Sequence, residues 1–495
     1  MLDQIKNKSL ALLVLAGAQF MVVLDATIVN VALPSIQKSL HFTSTAQLQW
    51  IVTAYTLLFG GFLLLGGRLA DLIGRRKVFL AGILLFVSAS LLAGISQNPT
   101  QLIAFRGLQG LGAALLSPAA LSLVLSIFAE GKERNKALGV WSGVAAGGGA
   151  VGLLLGGILT QYVDWRWIFF INVPIGLFIA FMALRTLPAH SNEELAGRRS
   201  LDLPGAVLVT SGLMVLVYAF VKATNYGWIS LQTLGLIGIA ILLLAGFVVN
   251  ELRVAQPLMP LRIFRNRNVA AANLMQLPIT AGMFSVFFYL SIYLQQILHY
   301  SPVKTGVHNL PFTLFIGIAA AITSKKVAEL SPKRILMFSP LLTAAGLAYF
   351  SRIPVQGDYL RDILPGIVLM ATGMGATFVA ITLAATSGVA VKESGLVSGL
   401  LNTSQQIGGA IGLAVLTTVS TARTNTIMAQ AKGDPAALSG ALVQGFRSAF
   451  MIAAGLAIVA SIIGIIGLEN TRMTKDEISR ELETESETFP VVPGV

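Results

Sequence analysis

Stretches of about 20 apolar residues, each long enough to cross the roughly 30 Å hydrocarbon core of a bilayer, recur along almost the whole chain. Hydrocarbon offers no hydrogen bonds, so every backbone N–H and C=O in such a stretch must be satisfied within its own element. The chain is therefore expected to fold as an all-α bundle of transmembrane helices. The stretches lie at 9–33, 48–67, 78–96, 101–127, 136–160, 166–186, 203–222, 231–251, 269–296, 305–325, 334–351, 362–388, 397–421 and 444–468, which predicts 14 spans. Composition agrees with this: 55% of the 495 residues are hydrophobic and only 11% charged, too few solvating groups for a soluble surface.

The net charge of +12 invites a nucleic-acid reading, but the basic residues sit in short loops between apolar runs, not on a polar domain. Nucleic acid is set aside as a partner, and the charges report topology. With the N-terminus inside, the inside segments hold 24 of the 34 Lys and Arg residues and the outside segments 9, leaving Arg106 within a span. Both termini are thus expected in the cytoplasm, with a multi-pass chain in the cell membrane. Lys6 and Lys8 before the first run resemble the start of a secretory leader. The run continues to Pro34, contains Asp25 and lacks a small-residue cleavage site, so it reads as the first span. The absence of cysteine excludes disulfides and thiol chemistry. His41, His190, His299 and His308 fall in or beside loops without metal-site spacing, so no metal is expected.

An internal repeat organises the spans. Arg68, Leu69, Ala70, Asp71, Leu72 recurs as Lys326, Val327, Ala328, Glu329, Leu330, and each copy is followed by a basic pair, Arg75 with Arg76 and Lys333 with Arg334. The offset carries the first span onto the ninth. The expected domains are a six-helix bundle over 1–187, a linker with two inserted helices over 188–268, a second six-helix bundle over 269–468, and a polar tail over 469–495.

Few residues within the spans can carry chemistry. Asp25, in FMVVLDATIVNVALP, lies mid-span, where an ionised carboxylate is costly and a protonated one much less so. Such an acid can take up and release a proton as its surroundings alternate between wet and dry; the alternative is an acid that only joins helices by hydrogen bonds. Arg106 lies about five residues, or roughly 7 Å, from the outer end of the fourth span. That depth allows contact with Asp25 if the helices are neighbours, or snorkelling to the headgroups if they are not. The loop GRLADLIGRRKVF places Asp71, two glycines and a basic cluster between the second and third spans. These are either positive-inside residues or a gate latch in which Asp71 and the arginines pair in one state. Gly148, Gly152 and Gly156 follow at four-residue spacing in the fifth span, which lets a neighbouring backbone approach closely. Tyr55, Gln276, Phe284, Phe288, Asn402 and Gln406 are polar or aromatic residues near the centres of their spans, candidates for a substrate cavity or for packing. No Walker A sequence, dinucleotide fingerprint, nucleophile elbow or paired catalytic acids occur, so no catalytic residues and no cofactor are expected.

Six segments in order, LDATIVNVALP, GRLADLIGRRK, RGLQGLGAA, WRWIFFINVPIG, YLQQILHYSPVKTGVHNLP and NTSQQIGGAIG, resemble the major facilitator superfamily, in particular its 14-helix drug:proton antiporter branch, the EmrB/QacA-like proteins. The resemblance implies two six-helix bundles related by a pseudo-twofold axis and no enzyme activity. It implies efflux of lipophilic drugs by alternating access, with protons as the coupling ion. By this resemblance Asp25 and Arg106 correspond to the proton-coupling residues, and Gly67, Asp71, Gly74, Arg75 and Arg76 to the cytoplasmic gate. Gly148, Gly152, Gly156 and Gly157 correspond to the antiporter motif, with Leu153 standing where the family usually has proline. The last six spans lack a mid-span acid, which fits neutral or singly charged lipophilic substrates better than dications. A carrier of this kind is expected to work as a monomer among membrane lipids. Two other readings stay open: an exporter of an endogenous lipid, peptide or metabolite on the same fold, and a membrane receptor that transports nothing.

Overall fold

A computed structural model of the protein describes residues 8–128, 132–187, 202–255, 257–387, 389 and 391–469. The first part of the expected linker, 188–201, and the expected tail from 470 onward lie outside the described residues, as do the side chains of Asp71 and Glu329.

The long helices are α1 (Lys8–Ser39), α2 (Trp50–Ile73), α3 (Arg75–Gly94), α4 (Pro99–Ile127), α5 (Lys132–Tyr162), α6 (Asn172–Thr186), α7 (Leu203–Tyr226), α8 (Leu231–Arg253), α9 (Arg267–Ile292), α10 (Pro302–Leu330), α11 (Pro332–Phe350), α12 (Leu364–Thr386), α13 (Val391–Gln430) and α14 (Leu438–Gly467). Eleven helices among the described residues are long and apolar enough to cross a membrane. α5, α11 and α13 occupy the remaining expected stretches as helices without meeting that measure, so the span count itself stays an expectation. α13 starts six residues before its expected span at 397 and ends nine after 421, because helix continues through polar turns that hydropathy excludes.

Local chemistry sets the boundaries. α4, α7 and α10 each begin with a side-chain cap followed by a residue pair containing proline. Asn98 accepts the Gln101 amide, Asp202 that of Gly205 and Ser301 that of Lys304. Proline is suited to the first turn because its missing N–H would have no helical partner there. α2 ends and α3 begins at Gly74, whose φ of 107° is open to glycine and strained for other residues.

Packing reproduces the sequence repeat. In the first half α2 packs on α4, α3 on α4, α1 on α5, α3 on α6 and α1 on α6; in the second α10 packs on α12, α11 on α12, α9 on α13, α11 on α14 and α9 on α14. Each pair maps onto its counterpart by a shift of eight helices. The two main seams between halves, α2 with α13 and α5 with α10, exchange under the same shift, as a pseudo-twofold axis requires. α7 and α8 form a hairpin outside this symmetry, with α7 against α2 and α13.

We call the end where α1 begins the near face and the opposite end the far face. At the far face the halves are joined. Gln295 donates to the Val31 carbonyl and Gln296 to the Gln37 side chain, both at 2.7 Å, and Val303 N donates to Gln161. One buried apolar cluster there runs from Leu33, Ile36, Leu40 and Phe42 to Leu294, Ile297 and Tyr359.

Candidate functional site

Asp25 is fully buried on α1, and every group that contacts its carboxylate is a donor. Arg106 Nη1 of α4 donates to Oδ2 at 2.6 Å. Gln109 Nε2 and Asn172 Nδ2 donate to Oδ1 at 2.7 and 2.9 Å. Arg106 is 1% exposed, which rules out snorkelling. Its remaining donors point inward, Nε to the Ile51 carbonyl and Nη1 also to Gln109 Oε1 at 2.7 Å. The guanidinium stacks 4.3 Å from the Tyr55 ring centre, a cation–π contact that is strongest where water is excluded. Ser90 of α3 closes the cluster. It accepts from both amides, at 3.1 and 3.0 Å, and donates to the Phe169 carbonyl at 2.9 Å. Taking a charge out of water costs on the order of several kcal/mol, which pairing and hydrogen bonding can offset, and Asp25 and Arg106 have both. Oδ1 accepts two donors and Oδ2 only one, which leaves a lone pair on Oδ2 where a proton can add.

The sequence reading brought Asp25 and Arg106 forward and missed Gln109, Asn172 and Ser90. Gln109 was legible in principle, since it follows Arg106 by three residues and therefore shares its helix face. Asn172 begins α6 after the short helix Trp167–Phe170, and no spacing rule ties it to α1.

The α5 glycines press on the segment of α1 that carries Asp25. A Cβ on Gly152 would lie 2.9 Å from the Leu24 carbonyl and also meet Thr27; one on Gly156 would lie 2.7 Å from the Ile28 carbonyl; Gly148 approaches Phe20. Gly157 instead faces Pro302 and Val303 of α10, across the seam between halves. Leu153, in place of the expected proline, is buried with its backbone beside Gly306 of α10.

At the near face, Arg75 reaches the Ser122 carbonyl of α4 at 3.2 Å and Arg76 the Leu184 carbonyl of α6 at 2.7 Å. A Cβ on Gly67 would lie 3.7 Å from Pro118, an ordinary contact. The arginines thus tie α3 to its own bundle, while the expected partner, the Asp71 side chain, lies outside the described residues.

The proposed cavity residues divide. Gln276 and Asn402 meet in a recess between α9, α12 and α13, lined also by Phe378, Ile381, Thr382, Ser398, Leu401 and Gln405. Gln406 stands beside Gly60 of α2, and Phe284 against Gly409. Tyr55 and Phe288 are instead packed: Tyr55 lies under the Arg106 guanidinium, and Phe288 is wholly buried against Tyr289 at 5.3 Å. Their mid-span position marked them as candidates, but aromatic rings bury large areas and are drawn into packing.

A model of the Major Facilitator Superfamily matches residues 15–413. The chain belongs to this superfamily and is a multi-pass membrane transporter rather than an enzyme. It is 40% identical over 469 residues to the puromycin resistance protein pur8 of Streptomyces alboniger, covering 94% of this chain and 92% of that one. It is 37% identical over 455 residues to the cephamycin export protein CmcT of Amycolatopsis lactamdurans, covering 92% of each. Among solved structures, a bacterial homolog of the human lysosomal transporter Spinster, in an inward-facing and unoccupied conformation, superposes with a TM-score of 0.66. That match has 15% identity over 98% of this chain and all of the other.

Proposed function

We propose that the protein exports lipophilic, neutral or singly cationic small molecules, antibiotics among them, across the cytoplasmic membrane in exchange for protons. Asp25 carries the reading: it is a fully buried acid whose two oxygens are held by Arg106, Gln109 and Asn172. A proton arriving from the far side adds at Oδ2, which accepts a single donor, and neutralises the acid, so those donors hold it less tightly. The donor set then relaxes, and the bundles rock about the recess that holds substrate. In this reading the near face, with the loop at Gly74 and the gate arginines, is cytoplasmic. The joined far face and the recess belong to a state that loads from inside. The names of the relatives, one for puromycin resistance and one for cephamycin export, support antibiotics as the substrate class.

The test is transport in proteoliposomes with an imposed pH gradient and a panel that includes puromycin. Wild-type protein is expected to move drug and protons in opposite directions. Asp25→Asn keeps the shape of the protonated acid but neither binds nor releases a proton in the working range, so drug should still bind and no longer be concentrated. Uphill transport by Asp25→Asn would remove Asp25 from the coupling step.

A further inference from the structure

Three hydrogen bonds cross between the halves at the far face, and a glutamine side chain takes part in each. Gln295 Nε2 donates to the Val31 carbonyl of α1 at 2.7 Å and Gln296 Nε2 to Gln37 Oε1 at 2.7 Å, while Gln161 Oε1 of α5 accepts the Val303 amide of α10 at 3.1 Å. The first two start from one turn. Tyr293–Ile297, which follows α9, is π-helical, and its base is fixed within the second bundle because the buried Tyr293 donates its hydroxyl to the Pro354 carbonyl at 2.6 Å. Single π turns are rare and often mark functional positions. Consecutive side chains of an α-helix leave it about 100° apart; from this wider turn Gln295 and Gln296 both reach α1.

The pseudo-twofold relation holds at this place as well. The repeat offset of 258 carries Gln37 onto Gln295 and His41 onto His299, and both histidines stand just past their helices with a φ of 55°. Amides from equivalent ends of α1 and α9 thus meet across the boundary between the halves, each of them half-buried.

We infer that Gln37, Gln295 and Gln296 are the far-face gate of the transporter: an uncharged amide latch that holds α1 against α9 and must part before anything leaves on that side. This rests on the export reading above for the direction of transport. α1 and α9 belong to different bundles, so a rocking that opens the far face lengthens both bonds. A neutral hydrogen bond contributes little net stability because its partners find water when it opens, so the latch biases the far face toward closed without locking it. Val31, which accepts from Gln295, follows Asp25 by six residues, or about 9 Å along the same helix. A shift of α1 that follows from protonation of Asp25 is therefore carried directly to the latch, which has no titrating group of its own.

The chain has no cysteine, so a single introduced thiol reports opening without background. Ala32→Cys places it on α1 beside Val31, wholly buried in the apolar cluster that draws on both halves at the far face. Its reaction with a maleimide is followed on full-length protein in lipid nanodiscs, where the reagent reaches both faces. Gln295→Leu and Gln296→Leu should each speed labelling by about 2- to 12-fold, and the two together by about 5- to 150-fold, as the closed state loses one or two neutral bonds. Ala113→Cys, wholly buried among residues of the first bundle alone, is the control. A rise there in step would show general loosening and overturn the latch. Charge supplies the second test. Gln37→Glu or Gln296→Glu alone leaves one amide that can turn and donate to the new carboxylate, so labelling should stay close to that of wild type. Both substitutions together set acceptor against acceptor and should label faster than the product of the single effects. A double variant that labels no faster than that product overturns the latch, and so do rates unmoved by the leucine substitutions. Failure of the export reading would appear in the proteoliposome assay and leave these rates where they are.

Discussion

Asn172 offers the cleanest perturbation of the Asp25 cluster. Its Nδ2 donates to Asp25 Oδ1 at 2.9 Å and to Ser90 at 3.0 Å, and makes no bond to Arg106. Asn172→Leu therefore removes one donor from the carboxylate while keeping its cation, and fills similar volume. It also removes Asn172 Oδ1, a buried acceptor with no donor, and Ser90 keeps its bonds to Phe169 and Gln109, so the fold should tolerate the change. A hydrogen bond to a charged group contributes about 1.5–3 kcal/mol, so losing a donor that acts on the ionised acid should lower the rate of proton-driven efflux by about 10- to 150-fold. Initial drug efflux rates in proteoliposomes under an imposed pH difference, set beside drug binding to the same protein, measure this. An unchanged efflux rate would mean that Asn172 packs the cluster without acting on Asp25.

Three further outcomes follow from other parts of the structure. Gly152→Val should sharply reduce export at normal expression, because its side chain must displace the Leu24 carbonyl and Thr27 beside Asp25; transport and membrane yield measured together separate this from misfolding. Phe450→Ala should cost about 3–5 kcal/mol of stability by thermal unfolding in detergent, since the ring is wholly buried against Tyr289 and Phe350. Reporters fused after Arg199 and Glu469 should read cytoplasmic and one after Lys432 external; an external reading after Arg199 would break the alternation of charge from which orientation is argued.

Much of the fold was legible because two strong signals agree. Apolar length locates the helices, and the repeat around Asp71 and Glu329 locates the halves; the pairwise packing then obeys the same shift of eight helices. Boundaries were less legible, as α13 shows, since hydropathy reports where lipid begins and not where helix ends. At the site, Asp25 and Arg106 stood out because each is costly within a span. Asn172 and Ser90 did not, because a neutral polar residue in a helix has many uses and only tertiary contact selects one.

The symmetry also sets where the buried charge and the recess sit. Gly148 and Gly152 of α5 press on Phe20 and Leu24 of α1, and Gly408 and Gly412 of α13 press in the same way on Leu277 and Ala281 of α9. Each half thus has a small-residue seam that lets its first helix lie close against its fifth. What the halves do not share is the charge. The repeat offset of 258 carries Asp25 onto Met283, and α9 contributes Gln276 to the recess in place of an acid. One half therefore holds a buried acid shielded by donors, and the other holds the polar and aromatic groups that line the recess. The halves meet along α2 with α13 and α5 with α10, so the Asp25 cluster and the recess are linked through packed seams and not by direct contact, which is the route the proposed function requires.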